Sequence, residues 1–175
     1  DYPKYVNTKE SRYFKKKRLI FGLEQAKDAI KEMSFALLVE GNFDVPLFHR
    51  YGMENTVALM GTNLGTGGGE HLDILRRYTR NVVLFMDPDK AGRDFVKNNY
   101  QKMRSHGLVL RVIDSDFDPA DTALSLKDEL KSWVQKNIMR VEEYFLKEAS
   151  RKYERKIAFA REMYLEDVAE IFNEG

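Results

Sequence analysis

Two unbroken apolar runs organise the pattern of this chain. Val82 to Met86 runs into Asp87-Pro88-Asp89, and Phe35 to Val39 runs into Glu40-Gly41. Short apolar runs bounded by turn signals suit strands buried on both faces of a parallel sheet. Thr56 to Met60 and Leu108 to Ile113 read as two further strands. Between the strands the spacing turns helical: Leu47, Phe48 and Tyr51, then Leu72, Leu75 and Tyr78, then Val96, Tyr100 and Met103, with stops at Gly52 and Gly107. Leu23, Ala26, Ile30 and Met33 predict an amphipathic helix after Gly22. Strands alternating with helices predict βαβ units in a mostly parallel, right-handedly connected sheet, with four strands and three intervening helices between residues 35 and 113. Past Ala123 one stripe runs Leu126, Leu130, Trp133, Val134, Val141, Phe145, Ala149. A second runs Tyr153, Ile157, Ala160, Tyr164, Val168, Ile171. With no Pro or Gly in either, two long helices are expected, and Trp133 is expected in the core.

Asp1 to Ile20 shows no such period. It is polar, basic and aromatic, and reads as an extended arm or loop lying on a folded body. The expected division is therefore 1–34 for the basic segment, 35–122 for the α/β sheet and 123–175 for a helical subdomain. Composition supports a folded chain: of 175 residues 43% are hydrophobic and 33% charged. There is no cysteine, which excludes disulfides and thiolate metal sites within these residues and fits a reducing cytosol. The apolar runs fall far short of the roughly 20 residues that span a bilayer, so no membrane is expected. The chain opens on Asp1 rather than Met, which reads as a fragment cut from something longer.

A net charge of +1 hides an uneven distribution. Residues 1–20 carry seven basic side chains (Lys4, Lys9, Arg12, Lys15, Lys16, Lys17, Arg18), while 114–121 carry four aspartates (Asp114, Asp116, Asp118, Asp121) and no base. A basic segment paired with an acidic one suits polyphosphate plus metal. Glu40 ends the first strand and Asp87 and Asp89 the third. In a parallel sheet both points lie at the carboxyl edge, where open α/β sheets keep their ligands. Asp118 and Asp121, after the fourth strand, would join them. Clustered carboxylates repel unless a divalent cation neutralises them, and oxygen-only ligands point to Mg²⁺ or Mn²⁺. Two such ions about 4 Å apart would clamp the attacking and leaving oxygens of a phosphoryl displacement. The plainer role for Asp89 is an N-cap for the following helix.

Leu38-Val39-Glu40-Gly41-Asn42-Phe43-Asp44-Val45, Gly61-Thr62 and Asp87-Pro88-Asp89-Lys90-Ala91-Gly92-Arg93-Asp94 together resemble the Toprim signature, in the version carried by bacterial DnaG-type primases. Pro3-Lys4-Tyr5-Val6-Asn7-Thr8, Phe14-Lys15-Lys16 and Leu19-Ile20-Phe21-Gly22-Leu23 resemble the basic segment that precedes Toprim in those primases. The resemblance covers about residues 3–121, and Pro-Lys-Tyr-Val-Asn is what selects primase. It implies a Toprim-like, mostly parallel sheet flanked by helices. It also implies the catalytic core of a DNA-directed RNA polymerase that makes short primers on single-stranded DNA by metal-dependent nucleotidyl transfer. Glu40 would act as general acid/base or metal ligand, Asp87 and Asp89 would hold Mg²⁺ or Mn²⁺, and Asp44 and Asp118 would lie nearby. Lys4, Asn7, Lys16, Arg18, Gly61, Thr62 and Arg93 would meet nucleotide or nucleic acid. Implied partners are ribonucleoside triphosphates, the template strand and a replicative helicase reached through a region absent here, in a cytoplasmic setting.

Two departures stand out. Many members have an aromatic residue where this chain has Asn42. Some have an acid where Ala120 stands, whereas here it comes one later, at Asp121, so Asp118 is the better candidate. The Gly65 to Gly69 loop reads as a long turn or a mobile nucleotide contact. Rival readings are a topoisomerase- or nuclease-type Toprim enzyme, a receiver with Asp87 as phosphoacceptor, and a silent nucleic-acid-binding module. The receiver would need a pair of acids after the first strand and a lysine after the last, and neither is present. His49, His71 and His106 share no metal-ligand spacing.

Overall fold

The computed structural model describes residues 19–59 and 69–173, with side chains as far as Phe159 apart from residue 155. Lys4, Asn7, Lys16, Arg18, Gly61 and Thr62 lie outside the described residues. The chain divides into two compact units after Met139. In the first, the elements run β1 (Ile20–Phe21), α1 (Leu23–Met33), β2 (Ala36–Val39), α2 (Asp44–Arg50), β3 (Thr56–Leu59), α3 (Gly69–Arg76), β4 (Asn81–Phe85), α4 (Lys90–Ser105), β5 (Val109–Ile113), α5 (Pro119–Leu126) and α6 (Leu130–Asn137). β6 (Ile138–Arg140) follows, and α7 (Val141–Asn173) forms the second unit.

The strands lie in the order β1-β3-β2-β4-β5-β6. β2 pairs in parallel with β3 on one side and β4 on the other, and β4 pairs in parallel with β5. Every residue of β2 and β3 is buried, as are all but the first of β4, which is why, past Thr56 and Asn81 at their starts, these strands run apolar rather than alternating. β5 alternates, leaving Val109 and Arg111 exposed. From β2 the chain moves outward to β3, crosses back over β2 to β4, and then continues outward to β5. The strand order therefore reverses between β2 and β4, and open sheets bind ligands in the crevice at such a switch point.

The core beside this crevice holds Leu37, Val39, Phe48, Met53, Val83, Phe85 and Ile113. Phe85 meets Phe48 edge-on at 6.0 Å and lies 5.9 Å from the Trp133 ring. Ala123, Leu130 and Val134 complete it, so α5 and α6 pack against the sheet. The buried Asn55 amide ties the loop ahead of β3 to the Phe35 carbonyl at 3.0 Å, and Thr79 and Asn81 both donate to the Ser34 carbonyl.

Ile20, the last residue of the segment expected to lie on the folded body, forms with Phe21 a short edge strand antiparallel to β3. Two residues are too few to carry a period. One expectation is corrected: the two long helices are instead α5, a short 3₁₀ turn, α6, β6 and α7. Lys127 at φ 48° breaks the first stripe, and the extended backbone at Ile138 ends α6. Only α7 has the expected length, 33 residues, and Leu146, Tyr153, Ile157 and Phe159 are exposed along it. No described helix is long and apolar enough to cross a membrane.

Candidate metal and phosphate site

Glu40 follows the last residue of β2, and Asp87 stands two residues beyond the end of β4. Val39 and Phe85 are register partners, so both acids leave the sheet side by side at the switch point. Two further turns bring in acids from the flanks. The first residue of α2 is Asp44, whose carboxylate accepts the Gly41 N–H at 3.0 Å. Asp118 caps α5, accepting the Asp121 N–H at 2.7 Å, with Pro119 in the first helical position. Asp89 is the N-cap of α4 and accepts the Gly92 N–H at 2.9 Å. Asp89 and Asp118 thus serve as caps in this geometry, and Asp89 remains exposed. Arg93 reaches the same turn, its guanidinium donating to the Pro88 carbonyl. Asp121 is exposed beyond the Asp118 cap.

The charges at this edge act on one another. Glu40 is raised above its ordinary value first by burial, then by Asp87, Asp89 and Asp44, against a backbone N–H of Asp87 that favours its ionised form. Burial is also the main cause that lifts Asp44 to about 6. Asp87 and Asp118 add to it, and the Gly41 N–H opposes it. Asp87 is raised by burial, then by Asp118 and Asp89. Glu40 Oε2 is buried and accepts no hydrogen bond. A buried carboxylate oxygen without a donor, inside a set of carboxylates that repel, is a good fit for a hard divalent cation. Among the described residues, no group of three His, Asp or Glu side chains is assembled that could hold the cation on its own. Mg²⁺ does not need one, since it commonly takes one or two carboxylates and completes its shell with water and substrate phosphate.

Two glycines shape these turns, and the sequence pattern alone did not single them out. A Cβ on Gly92 would lie 2.2 Å from the Asp87 carbonyl oxygen and 3.1 Å from its nitrogen, so only glycine lets α4 pack this close behind Asp87. A Cβ on Gly41 would lie 2.6 Å from Asp44 Oδ2. Glycine inside the first turn of a helix costs stability, and that cost is the signal that marks Gly92. The histidines lie elsewhere: His49 meets the Thr56 carbonyl at 2.8 Å, His106 meets Asp73 at 3.0 Å, and His71 is buried in α3.

Residues 37–124 match the family model described as Toprim-like. A DNA primase of Aquifex aeolicus is 36% identical over 135 residues, covering 75% of this chain and 26% of that protein. The chain therefore spans about a quarter of that relative's length. The solved structure of the zinc-binding and RNA polymerase domains of the Aquifex aeolicus primase superposes with a TM-score of 0.73 at 34% identity, over 89% of this chain and 38% of that one. The RNA polymerase domain of Mycobacterium tuberculosis DnaG, solved with a double-stranded DNA oligomer bearing a 6-nucleotide overhang, gives 0.66 at 30% identity over 81% of this chain and 46% of that one. The chain belongs to the Toprim-like family, and the members it is similar to are bacterial primases of the DnaG type.

Proposed function

We propose that this chain is the catalytic core fragment of a DNA primase, joining ribonucleotides on a single-stranded DNA template by metal-dependent nucleotidyl transfer. The observation that carries the reading is the meeting of Glu40, Asp44, Asp87 and Asp118 at the sheet's switch point, where burial and mutual repulsion raise the first three. Glu40 and Asp87 are the proposed holders of Mg²⁺ or Mn²⁺, with Asp89, Asp44 and Asp118 around them. Bound there, the cation supplies charge stabilisation for a phosphate under attack by a 3′ oxygen. Glu40, with its unpaired buried oxygen, either takes the proton of that attacking group or ligates. Arg93, in the first turn of α4 with its guanidinium on the Pro88 carbonyl, is proposed to meet phosphate. Lys4, Asn7, Lys16 and Arg18 are proposed as the track for template and nucleotide phosphates, and Gly61 and Thr62 as a further contact. Template DNA, ribonucleoside triphosphates and a helicase engaged through a region absent here are the proposed partners, in the cytoplasm.

The test is incorporation of labelled ribonucleotide on single-stranded template, with and without divalent metal. The fragment should bind metal and nucleotide but prime weakly and only with metal. Cleavage of the DNA, or a covalent tyrosyl–DNA product, would move the assignment to a topoisomerase- or nuclease-type enzyme.

A further inference from the structure

Two large aromatic side chains beside the acids are mostly exposed. Phe43 is 69% exposed and Phe117 68%. Phe43 is the N-cap of α2, a position that favours Ser, Thr, Asp or Asn, and it makes no side-chain capping bond. Phe117 precedes the Asp118 cap of α5, where an apolar residue usually staples onto the fourth helical position. That position is Thr122, whose hydroxyl donates to the Asp118 carbonyl at 2.8 Å, so no apolar partner waits there. The Phe117 N–H is held by the Ser115 hydroxyl at 3.0 Å, which fixes the turn that presents the ring. Exposing a large apolar ring forgoes the stability its burial would bring. Here the two rings are anchored on the turns of α2 and α5, which pack together.

Their neighbours say what they meet. Phe43 is followed by Asp44 and Phe117 by Asp118, and consecutive Cα atoms are about 3.8 Å apart. Those two carboxylates feel each other's charge. A ligand whose phosphates are drawn to this edge by a cation would place its uncharged, flat part within reach of these rings. An aromatic face binds any base by stacking and needs no particular hydrogen-bond pattern. We propose that Phe43 and Phe117 form a stacking platform for the base of the nucleotide whose phosphates occupy the acidic site. The inference rests on the proposed polyphosphate site and adds to it a contact to the base that tolerates any base.

The test compares two probes on the whole chain with Mn²⁺ present: ATP, and inorganic tripolyphosphate, which has the phosphates but no base. Phe43→Ala and Phe117→Ala should each weaken ATP by about 5- to 150-fold, the range of a lost base–aromatic stack, and leave tripolyphosphate unchanged. Phe117→Trp should restore ATP affinity and show fluorescence quenched by ATP but not by tripolyphosphate, against a single native tryptophan, Trp133, that lies beside Phe85. Circular dichroism of each variant checks that folding is intact. Unchanged ATP binding in both alanine variants, or equal loss for both probes, would overturn the platform while leaving the acidic site standing. Failure of the wild-type chain to bind either probe would remove the site itself and the platform with it. Concentration-dependent self-association, abolished by the two alanine variants with ATP binding intact, would assign the rings to an interface between copies and overturn the proposal.

Discussion

At the residue scale the site is a set of carboxyl groups held together against their repulsion. Asp44 shows the consequence for stability. Its folded value of about 6 exceeds the ordinary 3.8, so between about pH 4 and about pH 6 the folded chain keeps a proton that the unfolded chain has lost. Stability without metal therefore falls as pH rises across that window and is flat above it, and the raised Glu40 and Asp87 act in the same direction. Asp44→Asn keeps an acceptor for the Gly41 N–H and removes the charge. It should raise the stability of the metal-free chain at pH 8 by about 1 kcal/mol, once solvent screening at this half-buried group is allowed for. Added Mg²⁺ should raise the melting temperature of the native chain at pH 8 and do so less in the variant. Thermal melts across pH 4–8, with and without Mg²⁺, check both expectations. A native chain that grows more stable from pH 4 to pH 6 without metal would refute the burial and repulsion held to raise these acids.

At the element scale, the turns decide where the acids stand. Gly92→Ala sets a methyl against the Asp87 carbonyl, which is backbone and cannot swing aside. It should cost about 1–3 kcal/mol and weaken metal binding, because α4 must move away from the turn it supports. Denaturant melts and a metal titration of that variant measure both. Gly41→Ala meets only the end of the Asp44 side chain, so its stability cost should be smaller. Trp133→Ala tests whether α6 belongs to the core of the sheet. Loss of its packing on Phe85 should cost about 3 kcal/mol in the same melts. The βαβ series was legible because β2 and β4 are buried on both faces and so read as unbroken apolar runs. The break at Lys127 was not legible, since neither Pro nor Gly marks it and a lysine at positive φ leaves no trace in the pattern. β1 is two residues long and was hidden for a similar reason.

At the scale of the molecule, the strand order makes a site out of separate turns. Glu40 and Asp87 lie 47 positions apart in the sequence and next to each other in space because β2 and β4 are neighbours on the two sides of the reversal. Their residue types and strand-end positions could be read directly from the pattern, and the expected convergence at the carboxyl edge followed from assuming a parallel sheet. The neighbour relation between β2 and β4 could not be read, because apolar runs do not specify which strand pairs with which. Nor could the exposure of Phe43 and Phe117, since an apolar residue in a turn carries no period to say which way it faces. The basic segment with Lys4 and Lys16 lies outside the described residues, so its relation to the acids is part of the proposal.

The acids at the switch point are proposed to bind a divalent cation. Calorimetric titration of Mn²⁺ into the native chain and into Asp87→Ala, at pH 8 and at pH 5, tests it most directly. Binding is expected at pH 8, weakening at pH 5 as the raised carboxyls take up protons, with a loss of at least about tenfold in the variant. Identical isotherms for the two chains at pH 8 would contradict it.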